Sequence, residues 1–143
     1  MEKFKTWSTE GDKSVFVVGL CPGKQRKGNL TKRVWEGNRS GDFVKAIVAN
    51  MKNLHMTNVF NYYVKGKLTK EMFDTGFEEL KLEIQQYQPK KIICLGALPY
   101  KYVKSLLHPN VVQLKHPSYV LRFNAAKGAW LNNFLMEVES AQT

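Results

Sequence analysis

The sequence predicts an α/β fold, a three-layer sandwich in which a central four-stranded parallel sheet is flanked by helices. Three observations predict it. Short apolar runs of strand length alternate with longer stretches of helical period. The clearest runs, Val15-Phe16-Val17-Val18 and Ile92-Ile93-Cys94-Leu95, are apolar at every position, as strands buried on both faces must be. The intervals between runs are long enough for the crossover helices that parallel neighbours require.

The elements follow in order. Residues 1–13 are polar and read as an irregular N-terminal arm anchored by Trp7. The first strand, 15–19, runs into Gly19-Leu20-Cys21-Pro22-Gly23, where Gly and Pro let the backbone turn sharply. The loop through residue 39 is long, and loops of that length in a compact domain are usually functional. Ser40 can cap a helix carrying Phe43, Ile47, Val48, Met51 and Leu54 at helical spacing. Met56 to Phe60 reads as the second strand, followed by Tyr62-Tyr63. Thr69 can cap a helix over 70–87 with a stripe of Phe73, Phe77, Leu80, Ile84 and Tyr87, closed by Pro89. The third strand is 92–96, a short helix is 97–107, and the fourth strand is 111–114. A last helix at about 120–137 presents Trp130, Phe134, Leu135 and Val138 to the core. No repeat or linker divides the 143 residues, so one domain is expected.

Composition narrows the function classes. An apolar fraction of 43% excludes disorder, and no apolar run reaches the length of a membrane span. Met1-Glu2-Lys3-Phe4-Lys5 lacks the apolar core of a signal peptide, which predicts a cytoplasmic protein, or one in host cytoplasm if viral. Two cysteines, Cys21 and Cys94, make neither a disulfide framework nor a metal-ligand spacing. Lys and Arg number 22 against 12 acids, a net charge of +10 with pI near 9.6, which points to a polyanionic partner such as nucleic acid. The charge is clustered. Lys24, Arg26, Lys27, Lys32 and Arg33 crowd one loop without an acid, whereas acids gather over 71–83.

Parallel strands would bring their carboxyl ends to one edge, where ligands of open α/β sheets bind. That edge would hold the Gly19–Gly23 turn, Asn58, Gly96 and His116-Pro117-Ser118, beside the basic loop. His55 and His108 read instead as hydrogen-bonded loop histidines.

These residues carry a resemblance. Gly19-Leu20-Cys21-Pro22-Gly23 resembles the first motif of the uracil-DNA glycosylase superfamily. Trp35-Glu36-Gly37-Asn38-Arg39-Ser40-Gly41-Asp42-Phe43 is similar to the segment after that motif, particularly in family five. Met56-Thr57-Asn58-Val59 resembles the Thr-Asn-Val strand of families four and five. Pro89-Lys90-Lys91-Ile92-Ile93-Cys94-Leu95-Gly96-Ala97 resembles their Pro-Lys … Leu-Gly-Ala strand. Lys115-His116-Pro117-Ser118-Tyr119-Val120-Leu121-Arg122 resembles the family-four His-Pro motif. The matches keep their order over roughly residues 14–137.

The resemblance implies a cofactor-free, monomeric DNA glycosylase that flips uracil or a related base out of single- or double-stranded DNA and hydrolyses its N-glycosidic bond. It implies that His116 donates to the leaving base's oxygen and that Asn58 reads the Watson–Crick edge. Trp35, with Phe60 second, would stack on the base. Gly19, Leu20, Cys21 and Gly23 would wall the pocket. Ser118, Tyr119 and Arg122 would meet the DNA backbone near the extruded nucleotide, and Lys24, Arg26 and Lys27 would contact phosphates. Many relatives put Asp, Asn or Glu in the first motif to position water; this chain has Leu20 and Cys21. Asp42, and after it Glu36, is the candidate for that catalytic role, although an acid in a helix's first turn also suits the helix dipole. Families four and five bind an iron–sulfur cluster through four cysteines, which two cysteines cannot supply. A catalytically inactive DNA-binding protein and an enzyme acting on free nucleotides or nucleosides stand as alternatives.

Overall fold

The computed structural model describes residues 2–28, 31–123 and 127–142. Along the chain these are β1 (Glu2–Lys3), β2 (Trp7–Ser8), β3 (Val15–Gly19), α1 (Arg39–Val48), β4 (Leu54–Asn58), β5 (Tyr62–Tyr63), α2 (Lys70–Tyr87), β6 (Lys91–Leu95), α3 (Ala97–Lys104), β7 (Val111–Leu114), α4 (Pro117–Arg122) and α5 (Lys127–Gln142). The main sheet runs β2-β4-β3-β6-β7, and β1 pairs with β5 in a separate two-stranded sheet. The three pairings among the four expected strands are parallel, whereas β2 joins β4 antiparallel.

Alternation along β3 builds the three layers. Val15 and Val17 face one core with Val44 and Val48 of α1 and Trp130 and Phe134 of α5. Phe16 and Val18 face the other, with Phe77, Leu80 and Ile84 of α2 and Val103 of α3. All four β3 side chains are fully buried, each contributing roughly 1.5–3 kcal/mol by leaving water. A strand covered on both faces cannot shift register by one residue without exchanging its two cores. The register is therefore firm where it matters: Gly19 stands opposite Asn58, and Val18 opposite both Thr57 and Cys94.

Several boundaries differ from the sequence expectation. The sheet has five strands because the N-terminal arm is not irregular. The Phe4 amide donates to the Asn61 carbonyl at 2.7 Å, and the Trp7 indole donates to the Val34 carbonyl at 2.7 Å. Strands two residues long carry no periodicity to read. Helix α1 starts one residue before Ser40 because Asn38 is the cap, its Oδ1 accepting from the Gly41 amide at 2.8 Å. Leu54 lies in β4 instead of the helix, after Asn53 turns the chain at φ 67°. Strand β4 consequently ends at Asn58. The Val59 and Phe60 amides instead donate to the carbonyls of Gly19 and Leu20, both at 2.9 Å. The expected last helix is two helices, with His116 capping the first.

Candidate active site

The register that sets Gly19 against Asn58 leaves the carboxyl ends of β3 and β4 facing a cavity of about 320 Å3. Its lining includes Cys21, Gly23, Trp35, Glu36, Asn58 and His116, with Lys24, Arg39 and Ser40 from the basic loop and the start of α1. Trp35, Asn58 and His116 therefore meet from three separate segments of the chain.

Gly19 makes their approach possible. A Cβ there would collide with the Trp35 ring and come within 2.5 Å of Asn58 Oδ1. The residue is glycine because the indole and the amide occupy the space of a side chain. Asn58 is only 2% exposed, yet its amide has no hydrogen-bond partner among the described residues. Its donor and acceptor are directed at a cavity instead of at the protein.

Trp35 is held in an unusual backbone state, φ 60°, which for a bulky residue costs on the order of 1–3 kcal/mol and persists only where neighbours enforce it. Those neighbours are identifiable. Val34 is tied on both sides, its amide to Lys5 and its carbonyl to Trp7. A Cβ on Gly41 would come within 2.6 Å of the Trp35 carbonyl carbon, so α1 sits directly on the loop. The indole N–H reaches the Thr57 carbonyl at 3.4 Å, and the ring lies 6.1 Å from the His116 ring, tilted by 34°.

The tautomer of His116 follows from its bonds. Its Nδ1 is 3.0 Å from the Ser118 amide and 2.8 Å from the Ser118 hydroxyl. A backbone N–H only donates, so Nδ1 is an acceptor and the proton of the neutral ring resides on Nε2. Burial lowers the pKa of His116 below its ordinary 6.5, favouring that neutral ring because desolvation penalises the cation. Gly96 adjoins it closely: a Cβ there would stand 3.7 Å from His116 Cβ.

The carboxylates are placed differently. Glu36 is 4% exposed and lines the cavity, held by Lys45 at 2.7 Å and Arg33 at 3.3 Å. Asp42 lies outside the lining, its exposed carboxylate paired with Arg26. Arg26 is thereby engaged with protein, and Lys27 is exposed. Cys21 borders the cavity with its thiol pushed above the ordinary value by burial, which keeps it protonated. Leu20 faces the opposite side, toward α2 and α3. Phe60 is buried between Tyr62 and Phe73 and does not reach the cavity. Ser118, Tyr119 and Arg122 are exposed on α4, where the Lys115 ammonium lies 4.2 Å from the Tyr119 ring.

A family profile, described as the uracil DNA glycosylase superfamily, matches residues 7–138. The chain belongs to the uracil DNA glycosylase superfamily. A search of curated proteins finds no match. Cys94 is sealed inside β6 with its thiol pushed up to about 12, Cys21 is the only other cysteine, and among the described residues no three His, Cys, Asp or Glu side chains could hold a metal. No described helix is long and apolar enough to cross a membrane.

Sequence reasoning missed Phe4, which is buried and lines the cavity from the N-terminal arm. The available signal was a lone aromatic between lysines 3 and 5. It also missed His55, a strand residue and not a loop one. His55 Nε2 donates to Glu83 at 2.7 Å, Nδ1 lies 2.8 Å from the Ser8 hydroxyl, and Thr57 donates to the same carboxylate at 2.7 Å.

Proposed function

We propose that this chain is a DNA glycosylase that flips uracil or a related modified base into the cavity and hydrolyses its N-glycosidic bond, leaving an abasic site. The observation that carries the reading is the neutral His116 ring, with its proton on Nε2, beside Trp35 and the unpartnered Asn58 amide. An extruded pyrimidine needs a ring to stack on, an edge reader with both donor and acceptor, and a donor for its leaving oxygen. Trp35, Asn58 and His116 are assigned those roles. Gly19 and Gly23 keep the wall thin, with Cys21 as packing and not nucleophile. Lys24 meets phosphate at the mouth, and Ser118, Tyr119 and Arg122 meet the strand outside it.

The reaction balances without a cofactor. Water adds to C1′ as the C1′–N bond breaks, the electron pair stays on the base, and its negative charge is delocalised onto the oxygen that His116 Nε2–H contacts. The proton lost by water ends on the base or in solvent. Glu36 is better placed than Asp42 to orient that water or to stabilise the cationic sugar, because it borders the cavity. Asp42 can serve only if it leaves Arg26.

A panel of labelled oligonucleotides, single- and double-stranded, each with one uracil, deaminated purine or hydroxymethyluracil, tests the proposal. Alkali-labile breaks at one of these bases, lost in His116→Ala, are expected; no break at any of them overturns it. The second reading, a DNA-binding protein without turnover, is favoured by one feature: Glu36 and Asp42 are both engaged by cations. It predicts salt-dependent binding with no product, and binding unchanged in Glu36→Gln.

A further inference from the structure

A second concavity lies on the α2–α3 side of the sheet, across the end of β3 from the cavity. Leu20, Phe73, Leu98 and Tyr102 wall a groove of about 510 Å3, with Lys70 and Lys101 also along it. Lys70 is occupied by Asp74 at 2.9 Å, and the Tyr102 hydroxyl donates to the same carboxylate at 3.0 Å. Lys101 has no partner among the described residues. It lies three positions after Leu98 on α3, on the same helix face. Leu98 is 50% exposed, an apolar side chain left open beside an ammonium.

The backbone passes from cavity to groove twice. Cys21 borders the cavity and Leu20 the groove; Gly96 adjoins His116 and Leu98 borders the groove. Two residues of chain span at most about 7 Å, short enough for the two places to be filled by adjacent nucleotides of one unstacked strand. Apolar walls with aromatic rings suit the face of a base, and a free ammonium at helical spacing suits its phosphate.

We propose that this groove is a subsite for the nucleotide next to the excised one, with its base against Leu98, Phe73 and Tyr102 and a phosphate at Lys101. The proposal rests on the glycosylase reading and extends it to the form of the substrate. A neighbour held there has left its own stack, which costs least in a strand that is already single. The preferred DNA is therefore single-stranded.

The test uses the full chain and short oligonucleotides carrying a non-cleavable abasic analogue, with 2-aminopurine on one flank or the other. Binding should change the 2-aminopurine emission on one flank only, and single strands should bind more tightly than duplex. Leu98→Ala, at an exposed position, should remove that emission change and weaken binding about tenfold, within the range of one lost base-stacking contact. Lys101→Ala should lower the salt slope of binding by about one, while Met136→Ala on α5 leaves both readouts unchanged. Native-like binding and emission in Leu98→Ala would overturn the subsite while leaving excision intact, and would leave the groove to a protein partner. A native chain that neither binds these strands nor excises any base overturns the glycosylase reading along with it.

Discussion

Two histidines lie in different parts of the fold, one within the sheet and one beyond its edge, and the contrast that matters is in their hydrogen bonds. His55, on the α2 face, has both ring nitrogens engaged, by Ser8 and Glu83, and is 3% exposed. His116, at the sheet's edge, has one nitrogen committed to Ser118 and the other left toward the cavity. The first site is closed around the ring: Ser8, His55, Thr57 and Glu83 all find partners, with Asn61 Oδ1 at the margin left unpaired, and the network ties the arm, β4 and α2 together. The second is open by one hydrogen bond. Asn58, one residue after Thr57 of the closed network, repeats the contrast, since its amide turns to the cavity face. What sets His116 and Asn58 apart is that their open hydrogen-bonding capacity faces a cavity.

Breaking the open site should affect turnover most. His116→Ala should reduce excision about 10²–10³-fold, the range seen when one preorganised donor to a developing anion is removed, with a melting temperature near that of the native chain. Gly19→Ala should approach the same loss, about 10²-fold, because the displaced Trp35 no longer holds the base in line; single-turnover kinetics would show it. The closed site should respond in reverse. His55→Ala leaves Glu83 partly buried without its partner and should cost about 3 kcal/mol of stability, read by denaturant unfolding, while turnover of the folded fraction stays native-like.

Acidification sharpens the comparison. Because burial lowers the His116 pKa, the ring stays neutral down to pH values below the ordinary histidine range, and Nδ1 keeps accepting from the Ser118 amide, the bond that orients Nε2–H; protonation at Nδ1 breaks it. The kcat/KM profile should therefore be flat on its acid side through neutrality and fall only as pH drops past the lowered value. An acid limb at or above 6.5 would contradict this. The smallest effect is expected at Asp42, where Asn should cost under about 1 kcal/mol of stability as an exposed pair and leave excision within a few-fold of native. A large loss in Asp42→Asn, with Glu36→Gln silent, would return the water to Asp42.

The layers were legible because β3 and, after Lys91, β6 carry unbroken apolar runs and the helices between them have clear stripes. Helix α2 matches the expected 70–87 because Thr69 and Pro89 both punctuate it. The boundary of β4 was not legible, since Val59 and Phe60 are apolar like the strand residues and only their hydrogen bonds to Gly19 and Leu20 show that the ladder has ended. At the site, Gly19, Asn58 and His116 could be placed by topology, because strand ends share an edge whatever the loops do. The positions of Leu20, Asp42 and Phe60 depend instead on loop direction and helix phase, which no local pattern encodes. Phe4 was hidden for a further reason: its partner, the Asn61 carbonyl, is distant in sequence and belongs to no motif.

The hold of residues 2–8 has a consequence for how the protein can fail. Strand β2 covers the edge of β4, Phe4 walls the cavity, and the Lys5 and Trp7 contacts fix Val34 beside the strained Trp35. Solubility and recognition thus share one fastening. Whatever peels this segment away would expose a strand edge able to pair with another molecule and, in the same event, release the ring against which a base would stack. Loss of function and the onset of self-association should then appear at one threshold of temperature or denaturant, below that of global unfolding.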